Sequence, residues 1–204
     1  MTVFASRTPP AADAPLVIFL SGDGLATRFE TRLANLLASR GVETVLFRSL
    51  HFFWNEKTPR EVADAIEDVA ARHRRDDNQR PIILVGYSFG GAIAPFAFSE
   101  MSANLRRALR AMVLLAPASK ADFEFNFISW FNISSPGARD VSAKLDELCS
   151  AGLRILTVHG ARDAARARPK DTASCNTLTL PGGHDFGRDF TALAELIEHA
   201  GIVE

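Results

Sequence analysis

The sequence predicts an α/β protein, a mostly parallel sheet of about six strands with helices on both faces. Three observations carry that reading. Short apolar runs of buried-strand composition alternate with longer stretches of helical periodicity along the 204 residues. Glycine-rich turns punctuate the junctions, as at Ser21-Gly22-Asp23-Gly24 and Pro181-Gly182-Gly183. The segment Ile82 to Ala92 runs from a β-branched strand through a glycine-flanked serine into a small-residue helix.

Residues 1–14 are small, polar and proline-bearing and read as a disordered lead-in; a single domain is expected over 15–204. Pro15 to Leu20 is the first buried strand. Phe29, Leu33, Leu36 and Leu37 mark an amphipathic helix that Gly41 stops, and Val42 to Phe47 is the second strand. Strand, glycine turn, helix and strand make a βαβ unit with a right-handed crossover. The loop after it, Ser49 to Lys57, carries three consecutive aromatics, Phe52-Phe53-Trp54. It follows a strand end, the ligand side of an open α/β sheet. Either it walls a site or it tucks onto the core.

Thr58-Pro59-Arg60-Glu61 is a helix start, with a threonine cap and a glutamate reaching back. Val62, Ile66, Val69 and Ala70 form the apolar face of that helix. The third strand, Ile82 to Val85, leads to Gly86-Tyr87-Ser88-Phe89-Gly90, and a buried helix is expected over Ala92 to Phe98 with Pro95 near its first turn. Ala111 to Leu115 is the fourth strand. Asp122 to Phe127 alternates polar residues with phenylalanines and predicts an antiparallel extension or small lid. A helix over Val141 to Ala151, a fifth strand over Leu153 to Val158, a short last strand over Asn176 to Leu180 and a final helix over Phe190 to His199 complete the chain.

Bulk composition excludes several classes. A net charge of −1 leaves no electrostatic footprint for nucleic acid. The basic clusters Arg72 to Arg75 and Arg106-Arg107 read as solvated helix ends. No apolar stretch is long enough to span a bilayer, and the first residues lack the charged start and apolar core of a signal peptide, so the chain reads as either cytoplasmic or a mature portion given a new start. Cys149 and Cys175 make either one bridge in an oxidising compartment or two core-filling thiols. No cofactor and no metal site are expected.

The chemistry lies at the glycine-flanked serine. Gly-x-Ser-x-Gly between a strand and a helix is a nucleophile elbow, the signature of an α/β-hydrolase-like fold. A serine hydroxyl needs a neutral imidazole to take its proton and a carboxylate to hold that imidazole in one tautomer. In this fold the three arrive in the order serine, acid, histidine, each after a strand. Ser88, Asp163 and His184 supply that order. His184 lies in a glycine-flanked loop after the last strand, whereas His73 and His199 lie on helices, His51 among aromatics and His159 on a strand end. Asp171 is the rival acid in the loop of Asp163. Two backbone N–H groups must face the developing oxyanion. Phe89 supplies one, and Asp23 or Gly24 the other. The Asp23 carboxylate either closes its own turn or meets a cation on the substrate. Gly24, Phe52, Trp54, Tyr87 and Asp185 are the expected substrate contacts.

These same stretches resemble the bacterial virulence-protein family of the VirJ and AcvB type. The resemblance rests on Ser21-Gly22-Asp23-Gly24, on Ser49 to Trp54 with Thr58-Pro59, on Gly86 to Gly90, on Phe123 to Trp130, and on Pro181 to His184 with Phe186. It implies an α/β-hydrolase with Ser88, Asp163 and His184 as triad, a periplasmic setting, and hydrolysis of aminoacylated phosphatidylglycerol, lysyl-phosphatidylglycerol in particular. By the same resemblance it implies a secretion-system partner and peripheral contact with a membrane. The sequence departs from the family pattern at Leu25-Ala26, where the family often has Gly-Trp, and at Asp185, where it often has a second histidine. A lysyl ester carries two amino groups, which Asp23, Asp185 and Asp189 would favour electrostatically. The alternatives are a short-chain carboxylesterase or thioesterase, acting on a small-molecule or lipid ester, and a non-catalytic binding module of a secretion or envelope system.

Overall fold

Residues Leu16 to Leu20 are all apolar because both faces of the strand they form are covered. Leu16, Ile18 and Leu20 enter one core with Val62, Ile66 and Ala94, and Val17 and Phe19 enter a second with Leu33, Leu37 and Ile197. This is the pattern of a central parallel strand, in which successive side chains point to opposite layers. In the computed structural model of the chain, the structure describes residues 1–7, 14–22, 28–48, 57–73, 80–121, 123, 138–163 and 167–201.

Among these residues one sheet has seven strands, in the order β1 (Thr2–Phe4), β3 (Thr44–Phe47), β2 (Leu16–Leu20), β4 (Ile82–Tyr87), β5 (Leu109–Leu115), β8 (Ile155–Gly160), β9 (Cys175–Leu180). All neighbours are parallel except β1, which pairs antiparallel to β3. The six parallel strands are the expected ones. The seventh corrects the expectation that residues 1–14 are disordered. Thr2 to Phe4 pair with Leu46 to Thr44, and the Arg7 N–H donates to the Ala38 carbonyl at 3.0 Å. An edge strand of three half-exposed residues has no continuous apolar run to announce it.

On one face lie α2 (Pro59–His73), α3 (Phe89–Glu100) and α5 (Val141–Ser150), and on the other α1 (Arg28–Ser39) and α6 (Phe190–Ala200); a short helix, α4 (Ala103–Ala108), precedes β5. The start of α2 is the expected reciprocal cap. The Glu61 N–H donates to Thr58 Oγ1 at 3.2 Å, and the Thr58 N–H donates to Glu61 Oε2 at 2.8 Å. Helix α3 begins at Phe89, three residues before the expected Ala92, so Pro95 lies inside the helix rather than in its first turn. There it forgoes the bond to the Gly91 carbonyl.

Two strand residues, β6 (Lys120–Ala121), pair antiparallel with β7 (Arg139–Asp140); of the segment Asp122 to Phe127, expected as an antiparallel extension or small lid, only Phe123 is among the described residues. Phe123 packs its ring edge-on to Phe96, centroids 5.9 Å apart, with the Arg139 guanidinium 5.4 Å above it. Phe125, Phe127 and Trp130 lie outside the described residues. Cys149 and Cys175 form a disulfide that ties α5 to β9, which settles the open choice between bridge and thiols.

At the end of the sheet away from Ser88, the Glu43 carboxylate accepts from Arg80 Nη1 at 2.6 Å and meets His73 Nδ1 at 2.9 Å. Arg80 also donates to the carbonyls of Ala14, Pro15 and His73. Burial pushes the Glu43 carboxyl up, but the bonds from Arg80 and His73 outweigh it and hold the group below its ordinary value. His73 is therefore part of a hydrogen-bond network with Glu43 and Arg80, not the solvated helix residue that its place in the sequence suggests.

Candidate active site

The parallel strands all end on one side, and the loops that follow four of them converge there. Strand β4 ends at Tyr87, and Ser88 holds φ 53° and ψ −113° before α3 begins. A non-glycine residue with that backbone is strained by about 1–3 kcal/mol and persists only where its surroundings fix it. Here the Ser88 N–H donates to the Leu115 carbonyl at 2.9 Å, and the Ser88 carbonyl accepts the Ala92 N–H at 3.0 Å. The flanking glycines are steric requirements. A Cβ on Gly86 would lie 2.6 Å from Gly91 Cα, and one on Gly90 would overlap the Leu20 carbonyl oxygen. The glycine-x-serine-x-glycine spacing thus follows from the closeness of the β2 end, the elbow and α3.

Asp163 follows β8 in a turn closed by its own N–H to the Gly160 carbonyl at 2.9 Å. His184 follows β9 after Gly182 and Gly183. The two loops are bound by Arg162 N–H to Gly182 carbonyl at 2.9 Å and Ala161 N–H to Leu180 carbonyl at 2.8 Å. At Gly160 they pass so closely that a Cβ would collide with the Gly183 carbonyl. The result is a 2.9 Å hydrogen bond between His184 Nδ1 and Asp163 Oδ2. The carboxylate side of the pair is 6% exposed and the imidazole side 36% exposed. With Nδ1 donating to the acid, the unprotonated Nε2 is the nitrogen left to accept a proton. Asp171, the rival acid, is exposed, and the carboxylate bonded to His184 is that of Asp163.

Tyr87 connects the elbow to the histidine. Its hydroxyl donates to the His184 carbonyl at 3.3 Å, and its ring centroid is 5.1 Å from the imidazole. On its other side Phe29 stacks at 4.6 Å. The structure thus brings Tyr87, Ser88, Asp163 and His184 into one neighbourhood. Among the described residues Ser88 Oγ and His184 make no hydrogen bond; in unliganded sites such contacts are commonly long and tighten with substrate. Phe89 opens α3 at its N-terminal end, where helix N–H groups gather.

Asp185 turns its carboxylate to the Gly187 N–H at 3.3 Å and to Arg188 Nε at 3.2 Å, and Asp189 caps α6 through the Ala192 N–H at 3.1 Å. Asp23, Gly24, Phe52 and Trp54 lie outside the described residues, as does His51. His159 is fully buried on β8. Among the described residues, no group of three or more His, Cys, Asp or Glu side chains could hold a metal ion, and no helix is long and apolar enough to cross a membrane.

One buried residue went unread in the sequence. Glu30, in the first turn of α1, is 4% exposed, and its Oε1 accepts the Gly22 N–H at 3.0 Å. Its spacing to Leu33 and Leu37 puts it on the apolar face of the helix, a signal that was available and easily taken for an exposed charge.

Residues 14–200 match the family described as "Bacterial virulence protein (VirJ)". No curated protein matches the sequence. Among solved structures the chain is similar to Est1E from Butyrivibrio proteoclasticus with bound ferulic acid, at 18% identity over 97% of this chain and 92% of that one, TM-score 0.64. It is similar to a thioesterase domain from the curacin biosynthetic pathway, at 16% identity over 93% and 92%, TM-score 0.60. It is also similar to a soluble variant of monoglyceride lipase from Saccharomyces cerevisiae, at 12% identity over 98% and 91%, TM-score 0.62. Identities this low establish a shared α/β-hydrolase fold.

Proposed function

The chain belongs to the VirJ family of bacterial virulence proteins, and from that premise we propose that it is a serine hydrolase of carboxylic esters. The observation that carries this reading is the 2.9 Å bond between Asp163 and His184, in a loop that Tyr87 ties to the strained elbow at Ser88. Ser88 Oγ attacks the ester carbonyl while His184 Nε2 takes its proton. Asp163 holds the imidazole in the tautomer that leaves Nε2 open, and its charge stabilises the imidazolium. The negative charge on the carbonyl oxygen is met by the Phe89 N–H and by a donor in the loop after β2, for which Asp23 is the candidate. The C–O bond to the alcohol breaks, and the imidazolium protonates the departing oxygen. Water, deprotonated by His184, then attacks the acyl-serine; the Ser88 Oγ–acyl bond breaks, the imidazolium returns its proton to Ser88 Oγ, and the acid is released.

The proposed substrate is the aminoacyl ester of lysyl-phosphatidylglycerol, so that lysine and phosphatidylglycerol are the products. The family resemblance supports it, and the partly exposed imidazole suits an ester presented at a lipid surface, with contact between protein and membrane limited to the periphery. The Cys149–Cys175 disulfide agrees with the proposed periplasmic setting, since such bonds persist in oxidising compartments. A secretion-system partner is part of the same proposal, by resemblance alone.

The test is hydrolysis of purified lysyl-phosphatidylglycerol by the wild type and by Ser88→Ala, beside a short-chain ester and a thioester. Turnover of the lysyl lipid that vanishes in Ser88→Ala is expected. Preference for the thioester or the short-chain ester would reassign the substrate. Full activity in Ser88→Ala would overturn the mechanism, and a folded wild type that no fluorophosphonate labels would favour a binding module. Asp23→Asn should weaken lysyl-ester turnover more than turnover of a neutral ester; equal losses on both would remove Asp23 from the recognition of the amino groups.

A further inference from the structure

The first turn of α1 touches the elbow at Tyr87 and the end of β2 at Gly22, and nothing in the scheme above uses it. Phe29 stacks on Tyr87, whose hydroxyl holds the carbonyl of His184. The next residue, Glu30, reaches the loop after β2 and accepts the Gly22 N–H at 3.0 Å. A carboxylate that is 4% exposed has surrendered its hydration and stays favourable only through bonds made inside the protein. The positive end of its own helix and the Gly22 N–H both compensate it.

Its location is informative. The position that a Cβ on Gly22 would occupy lies 3.3 Å from Tyr87 Cδ1, 3.5 Å from Ser88 Cβ and 3.6 Å from Glu30 Oε1. The peptide held by Glu30 therefore lies directly against the serine. Gly22 leads into residue 23, whose N–H is the candidate second donor for the oxyanion. Fixing the plane of one peptide limits the aim of the next, because only two soft torsions separate them.

We infer that Glu30 is a positioning residue, which holds the Gly22 peptide, at the start of the proposed oxyanion loop, against Ser88 through its N–H. The inference rests on the ester-hydrolase reading. Aim matters at this point because a lost oxyanion donor lowers kcat by roughly 10²–10³.

The test compares Glu30→Ala and Glu30→Gln with wild type, using the ester that wild type turns over fastest. A trifluoromethyl ketone, which forms an anionic tetrahedral adduct on serine, serves as probe of the oxyanion site. Glu30→Ala is expected to lower kcat by roughly 10–100-fold with KM within about threefold, and to weaken the ketone by a similar factor. Glu30→Gln keeps an acceptor oxygen and should recover most of both losses. Amide exchange at Gly22 should quicken in Glu30→Ala and return towards wild type in Glu30→Gln. Leu33→Ala, a core change on the same helix, supplies a control that is destabilised without touching the site. A Glu30→Ala protein that melts earlier, like the control, yet keeps kcat and ketone affinity would overturn the inference while leaving the hydrolase intact. A wild type that turns over no ester would remove the reading and the inference together.

Discussion

Asp163→Asn isolates the charge of the acid from its shape. In the proposed attack His184 becomes an imidazolium whose charge centre lies about 4 Å from the carboxylate, given the 2.9 Å contact between Oδ2 and Nδ1. At an effective dielectric of about 20, that pair is worth about 4 kcal/mol, or roughly 10³ in rate. Water screens it little, since the aspartate side chain is 6% exposed. The amide adds a second defect, because its NH₂ group favours the tautomer with the proton on Nε2, where the base is needed. We expect kcat to fall by roughly 10³–10⁴ with the fold retained. The assay is steady-state hydrolysis with Ser88→Ala as the floor and circular dichroism as the check on folding. Asp171→Asn, an exposed change in the same loop, should act like wild type. A folded Asp163→Asn protein within about tenfold of wild type would refute the reasoning, because the electrostatic term alone exceeds that loss.

The remaining predictions concern the frame that holds the site. Arg80→Ala strands Glu43 and three carbonyls, so a loss of about 3 kcal/mol is expected, measured by urea unfolding. Because Glu43 titrates below its ordinary value in the folded protein, its contribution is present above pH 4.5 and is lost as pH falls through the lower folded value. The wild type should therefore lose stability on acidification below about pH 4.5 and Arg80→Ala less steeply; parallel Tm curves from pH 3 to 7 would remove the network from the acid response. The disulfide spans a sequence separation of 26, for which loop closure gives about 3.5 kcal/mol, so reduction should lower the urea midpoint and Cys149→Ser/Cys175→Ser should match it. Gly90→Ala should destabilise by at least about 3 kcal/mol, because the new methyl meets the Leu20 backbone, whereas Gly183→Ala, with nothing within 4 Å, should melt with wild type.

What the sequence revealed and what it hid follow one division. Parallel strands buried on both faces leave apolar runs, so Leu16–Leu20, Ile82–Tyr87 and Ile155–Gly160 are visible as strings. The pairing of Asp163 with His184, and the elbow at Ser88, were expected from chain order. Ser88 and Asp163 each follow one of those strings, whereas His184 follows the half-exposed edge strand Cys175–Leu180 and was placed by its glycine-flanked loop and by chain order. The edge strand Thr2–Phe4 was not legible, because it draws on pairing with β3 rather than on a composition of its own. The disulfide was open, because two cysteines allow a bridge without requiring it. His73 and Glu30 were misread or unread, because partners 30 and 8 residues away hold them.

Glu30 shows why such misses concentrate at the site. A charge on the apolar face of a helix contradicts local patterning, and the chain tolerates it only where a specific bond offsets the lost hydration. The Gly22 N–H supplies one such bond, and Gly22 adjoins Ser88. Ser88 is the second such contradiction, a non-glycine residue at positive φ. The two lie on different elements and are joined through one peptide. Replacing either with its locally preferred form, a leucine at Glu30 or a glycine at Ser88, would ease local strain or desolvation and remove a functional group. Stability and activity should therefore part company at these two positions, whereas at Leu33 or Arg80 they should fall together as the folded fraction falls.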